Sequence, residues 1–126
     1  MIEVIIVGAG GFLGAALRYL CSLWLGKISP GDFPIATLVV NIVGSFLIGF
    51  LSQTLSTIYP ENKRLLLFST TGFMGGFTTF STFSLETLNL FQNGKILFAG
   101  LNVILSVGCC LIGVFLGKTL AKAVTT

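Results

Sequence analysis

The chain is poor in charge. Only 9% of its 126 residues are Asp, Glu, Lys or Arg, against about 25% in ordinary soluble domains. So few charges cannot cover a water-facing surface, and most of the surface is expected to meet lipid or other protein. Histidine is absent, which removes the commonest general base and a common metal ligand. The net charge of +3 is small and dispersed, which argues against the concentrated basic patch of a nucleic-acid-binding protein. The three cysteines, Cys21, Cys109 and Cys110, lie in apolar runs without CxxC spacing. Neither a zinc site nor a disulfide framework is indicated, and the thiols read as small packing groups. The first apolar segment also lacks the basic start of a signal peptide. Glu3 stands there and three further apolar segments follow, so a retained helix is expected.

What the chain has instead is apolar length and glycine. It is 54% hydrophobic with 16 glycines, at a mean hydropathy of +1.01. Crossing about 30 Å of hydrocarbon takes about 20 mostly apolar helical residues. Four stretches qualify: Val4 to Leu25, Phe33 to Ile58, Leu65 to Phe91, and Ile96 to Ala121. Breakers and charges separate them at Lys27 to Pro34, Tyr59 to Arg64, and Gln92 to Lys95. The expected fold class is an all-α integral membrane protein, residues 1–126 forming a single four-helix transmembrane domain.

With four spans, both termini share a side with the second loop. That side carries Lys63, Arg64, Lys118 and Lys122, and the other carries Lys27 and Lys95, with Arg18 if it snorkels outward. The positive-inside bias is therefore almost nil. A chain without that bias is expected to insert both ways, allowing two copies to pair antiparallel. Association is expected in any case, because four short helices enclose little interior. Gly10 and Gly14, Gly72 and Gly76, and Gly113 and Gly117 form GxxxG pairs that suit close helix packing, within one subunit or between two.

The run VIIVGAGGFLGAALRYL from Val4 to Leu20 imitates a strand, glycine turn and helix. Gly8, Gly11 and Gly14 match the GxxGxxG variant of a dinucleotide-binding site. No second strand ending in an acid follows, and no alternation of strands with amphipathic helices. These glycines read as helix-packing positions.

Polar groups at membrane depth are expensive unless paired, so their placement carries the functional signal. Thr37, Asn41 and Ser45 fall at i, i+4 and i+8 on one helix face. Asn102, Ser106 and Cys110 repeat the spacing in the last span. Each stripe would serve helix–helix hydrogen bonding, and two matching stripes suggest a polar track. The third span is unusual: Ser69 to Ser84 reads STTGFMGGFTTFSTFS. Gly75 and Gly76 followed by Thr78 and Thr79 make poor helix interior, so a broken helix is expected there. Such breaks persist at membrane depth where the freed backbone lines a cavity or binds an ion. Phe80 and Phe83 then share a face, with Ser81 and Thr82 between them.

At this segment the chain resembles the Fluc (CrcB-type) family of fluoride ion channels. GFMGGFTTFSTFS from Gly72 to Ser84 carries the resemblance, supported by GGFLGAALRY from Gly10 to Tyr19 and TLVVNIVGSFLIG from Thr37 to Gly49. The resemblance implies an antiparallel, dual-topology homodimer with two fluoride pores. It implies passive export of fluoride across the bacterial inner membrane, relieving fluoride toxicity, and no enzymatic activity or organic cofactor. It implies a structural Na⁺ at the dimer centre, held by the backbone carbonyls of Gly75 and Thr78. By motif position, the pore phenylalanines would be Phe80 and Phe83 and the pore asparagine Asn41. The polar track would involve Thr37, Ser81, Thr82, Asn102 and Ser106, and Arg18 would stand near the vestibule.

A small multidrug-type proton-coupled exporter shares the four-span plan. It needs an embedded carboxylate in the first helix, where only Glu3 occurs, at the extreme end. Glu86 lies near the end of the third span and is expected to snorkel to water. A non-transporting assembly protein would explain the GxxxG pairs but not the polar break beside its phenylalanines.

Overall fold

The computed structural model describes residues 1–29 and 31–126; Pro30, one of the prolines of the expected first loop, lies outside the described residues. Among those residues the chain is entirely helical, with no strand. Helix α1 covers Ile2–Ile28 and α2 covers Ile35–Ile58. Helix α3 (63–77) has three contiguous parts: Lys63–Leu66, a widened π-helical stretch Leu67–Met74, and a last turn Gly75–Phe77. Helix α4 covers Phe80–Gln92 and α5 covers Ile96–Thr125.

Local chemistry sets several of these boundaries. Asn62 begins α3 by accepting a hydrogen bond from the Leu65 N–H at 2.9 Å, the usual action of an N-cap amide. Helix α4 ends in a Schellman turn. There the Lys95 N–H reaches back to the Leu90 carbonyl at 2.9 Å and the Gly94 N–H to Phe91 at 3.1 Å. The turn places Gly94 at φ +78°, a left-handed conformation that glycine adopts without steric penalty.

Helices α1, α2 and α5 are each long and apolar enough to cross a membrane, yet only 11–22% of their most apolar windows is buried within the chain. Helix α4, at 13 residues, reaches only about 20 Å at 1.5 Å per residue. Large side chains such as Phe12, Trp24, Ile104 and Phe115 stand open on the outside. The buried centre is small, with Val40, Met74 and Phe77 at its heart and Leu47, Ile48 and Phe73 against them. A core this slight with an outside this apolar is the distribution of a chain whose solvent is lipid.

Glycine sets how closely the helices approach. A Cβ at Gly10 would come within 2.5 Å of the Phe68 carbonyl oxygen, and one at Gly72 within 2.7 Å of the Val7 carbonyl oxygen. Gly14 faces the Phe73 carbonyl and Gly76 the Gly11 carbonyl in the same way. So α1 lies backbone to backbone on α3. Gly117 against Phe46 and Gly49 against Val114 do the same for α2 and α5. All three GxxxG pairs therefore pack helices within one subunit.

Candidate functional site

The helical path is interrupted between α3 and α4. Thr78 (φ −86°, ψ 161°) and Thr79 (φ −151°, ψ 118°) are both extended. Two extended residues redirect the N–H groups that would have closed the next helical turn. The Thr79 N–H goes to Asn41 Oδ1 at 2.8 Å instead of back to Gly75. The Thr82 N–H goes to Thr79 Oγ1 at 3.2 Å instead of to Thr78, so Thr79 is the N-cap of α4. The Gly76 carbonyl is taken by Arg18, whose Nε donates to it at 3.0 Å from α1. Among the described residues, nothing donates a hydrogen bond to the carbonyls of Gly75 and Thr78. They keep free lone pairs at the end of a helix, where the backbone dipoles concentrate negative potential.

Asn41 is the clamp of this break. Besides accepting from the Thr79 N–H, its Nδ2 donates to the Thr79 carbonyl at 2.9 Å. One amide thus satisfies both backbone groups of a residue that has left the helix, leaving one side-chain N–H for the space in front of it. Gly44, one turn along α2, makes room: a Cβ there would collide with the Thr78 methyl group.

In front of the break lies a cleft of about 330 Å³. Asn41, Ser45, Thr78, Thr79 and Ser106 supply its polar wall, and Phe80, Phe83 and Cys110 stand among its apolar ones. Both polar stripes thus converge on the same space. Phe83 is buried, whereas Phe80 is 76% exposed. Their ring centroids lie 5.4 Å apart with planes tilted by 56°, so the edge of one ring leans toward the other.

A hydrogen-bonded line leads away from the cleft. Ser106 donates to Asn102 Oδ1 at 3.3 Å, Asn102 donates to Thr87 Oγ1 at 2.8 Å, and Thr87 donates to the Phe83 carbonyl at 2.7 Å. Asn102 and Ser106 are buried, so each must be paired, and each is. Buried Thr37 donates to Glu86 Oε1 at 2.5 Å, joining α2 to α4. Glu86 also lines a second, polar pocket of about 200 Å³.

The residues singled out from sequence are therefore distributed as follows. Asn41, Phe80, Phe83 and Ser106 face the cleft. Thr37 and Asn102 are buried beside it, on the lines to Glu86 and Thr87. Ser81 and Thr82 fall outside the cleft lining; their hydroxyls gather at Thr79 Oγ1, at 3.4 and 3.1 Å. Arg18 is on the α1 side, at the end of α3. Thr87, which pairs with Asn102, was not singled out; Thr79 was expected only as part of the break and Glu86 only at the end of its span, and the structure pairs them with Asn41 and Thr37. A threonine directly after Gly-Gly-Phe-Thr and three residues before Thr82 carries the spacing of a helix cap. Thr87 falls four residues after Phe83, on the same helix face.

Three long apolar helices, a surface that demands lipid, and polar groups directed inward define a multi-pass α-helical membrane protein. Residues 5–118 match the model of the CrcB-like protein family, described also as camphor resistance (CrcB). The chain belongs to that family. It is 59% identical over 126 residues to the fluoride-specific ion channel FluC of Ruminiclostridium cellulolyticum, covering 100% of this chain and 97% of that protein. Proteins of the same name from Elusimicrobium minutum and Clostridium novyi are 54% and 50% identical. Those two similarities cover 97% and 98% of this chain, and 95% and 97% of the relatives.

Proposed function

We propose that this protein is a fluoride-selective channel, not an enzyme, that works as an antiparallel homodimer of four-span subunits in the bacterial inner membrane and lets fluoride leave the cell passively. The observation that carries the reading is the convergence of Asn41, Ser45 and Ser106 with Phe80 and Phe83 on one cleft at a helix break. Its support from outside is full-length similarity to proteins named fluoride-specific ion channels.

The cleft suits a small anion for physical reasons. Taking an ion out of water costs tens of kcal/mol by an idealised estimate, and one hydrogen bond to a charged group returns about 1.5–3 kcal/mol. Several donors must therefore act in succession. The spare N–H of Asn41 and the hydroxyl of Ser45 are such donors; the Thr79 and Ser106 hydroxyls, which donate to Thr82 and Asn102, join them by rotating toward the ion. An aromatic ring is positive at its edge, so Phe80 and Phe83 add weak anion solvation without holding the ion fast. Weak sites in series favour conduction, because an ion must leave as readily as it enters. Beyond the cleft, Asn102, Thr37, Ser81 and Thr82 extend the polar track.

Phe80 is exposed in the single chain, as expected of a residue that completes a pore against a second copy. The near-balanced loop charges support pairing in opposite orientations. The free carbonyls of Gly75 and Thr78 fit a hard monovalent cation, since unwound carbonyls at a half-helix end are typical Na⁺ ligands. Na⁺ would supply fixed positive charge at the break and so hold its geometry. Arg18, by occupying the Gly76 carbonyl, leaves the other two to the cation.

The test is efflux from liposomes carrying the purified protein, read with a fluoride electrode beside chloride. Fast fluoride release on adding a potassium ionophore, with chloride retained, is the expected result. If neither anion moves from well-reconstituted vesicles, the channel reading fails.

A further inference from the structure

The second pocket lies where two loops meet the end of α4. Asp32, from the connection between α1 and α2, pairs with Lys95, the residue that completes the Schellman turn after α4. Their side chains are 65% and 39% exposed, so the pair stands in water at the edge of the protein. Glu86, Asn89 and Asn93 line the same pocket. Among the described residues Lys95 is the one cation in its lining. Glu86 lines the pocket too, and its carboxylate accepts a hydrogen bond from the hydroxyl of Thr37, the first member of the polar stripe on α2. One hydrogen bond thus links this polar recess to the track.

An anion entering here meets two carboxylates and a single ammonium. A fixed charge at such a mouth sets the local concentration of a diffusing ion, more strongly where low-dielectric walls confine the field. The main chain of Lys95 is fixed by the backbone bonds of its turn, and its ammonium is both placed and partly cancelled by Asp32. We propose that this pocket is an outer mouth of the anion path, in which Lys95 draws the anion in and Asp32 restrains that attraction. The proposal rests on the channel reading and goes beyond it by assigning the entry step to a residue pair outside the cleft. The amides of Asn89 and Asn93 are neutral donors for an anion that still keeps most of its water.

Two single substitutions separate electrostatics from scaffolding, because both break the same ion pair. Asp32→Asn unmasks the ammonium, and Lys95→Gln removes it. If the pair merely holds the loops together, both variants lose activity alike. If it sets the field, they move in opposite directions. The experiment is initial fluoride efflux from liposomes for wild type and each variant, at ionic strengths of roughly 0.01 M and roughly 1 M, where the screening length falls from about 30 Å to about 3 Å. At low salt, Asp32→Asn is expected to conduct faster than wild type by at least about twofold and Lys95→Gln slower by a similar factor. At high salt the three rates converge. A conducting wild type whose two variants are unchanged at low salt, or both slowed, overturns the mouth assignment alone. A wild type that passes no fluoride overturns the channel reading and the mouth together.

Discussion

Asn41 illustrates how much one amide does at this site. Its oxygen and nitrogen both engage the backbone of Thr79, at 2.8 and 2.9 Å, and it still faces the cleft. Its position in the break and any contact with an ion are therefore inseparable: a substitution that alters the amide alters the wall as well. Phe83 differs. It is buried against its neighbours but makes no side-chain hydrogen bond, so replacing it changes the ring alone. Phe83→Ile keeps an apolar group of smaller size and removes the positive ring edge. Fluoride efflux is expected to fall by roughly tenfold, equivalent to about 1.4 kcal/mol of barrier, while size-exclusion chromatography still shows the assembly of the parent. Unchanged flux would remove ring-edge solvation from the mechanism.

Among elements, the closest pairings are α1 with α3 and α2 with α5, and both depend on glycine. Gly117→Ala would drive a methyl group onto the Phe46 carbonyl. A backbone atom cannot swing aside, so the helices must separate, at about 1–3 kcal/mol for overpacking. Gly100, on the same helix, has nothing within 4 Å of its Cβ position. Thermal unfolding in detergent should show a lowered midpoint for Gly117→Ala and an unchanged or raised one for Gly100→Ala. Equal effects would mean that helix propensity, not close approach, governs α5. Much at this scale was legible in the sequence. Apolar runs of about 20 residues announce helices, and the i, i+4 spacing of Asn41 with Ser45 and Ser106 with Cys110 placed each pair on one face. What could not be read was convergence, since no local pattern states that those two faces meet across one cleft. The π-helical winding of Leu67–Met74 was equally hidden, because it is a choice among hydrogen-bond partners made under packing against α1. What the sequence did not show for Glu86 is its partner: half-buried beside the exposed Asp32–Lys95 pair, it also accepts a hydrogen bond from Thr37 on the neighbouring helix.

For the whole molecule, the question is what covers its apolar outside. Lipid suffices for α1, α2 and α5. It does not suit the polar wall of the cleft, which a second subunit would close. Antiparallel pairing requires the chain to insert in both orientations, and the balance of Lys27 and Lys95, with Arg18 if it snorkels outward, against Lys63, Arg64, Lys118 and Lys122 permits it. A C-terminal tag should therefore be detected on both faces of the membrane in comparable amounts. Confinement to one face would require the subunits to be parallel.

The central claim is that the cleft at the helix break is the path of the anion, and Asn41→Asp tests it most directly. The carboxylate is nearly isosteric but cannot donate to the Thr79 carbonyl, and it sets a negative charge where an anion must pass. The measurement is fluoride efflux from liposomes for this variant and the parent, at equal protein density and with the assembly state verified. Loss of flux with the assembly intact is the predicted result. Efflux at the parent's rate would contradict the account and place the path elsewhere in the molecule.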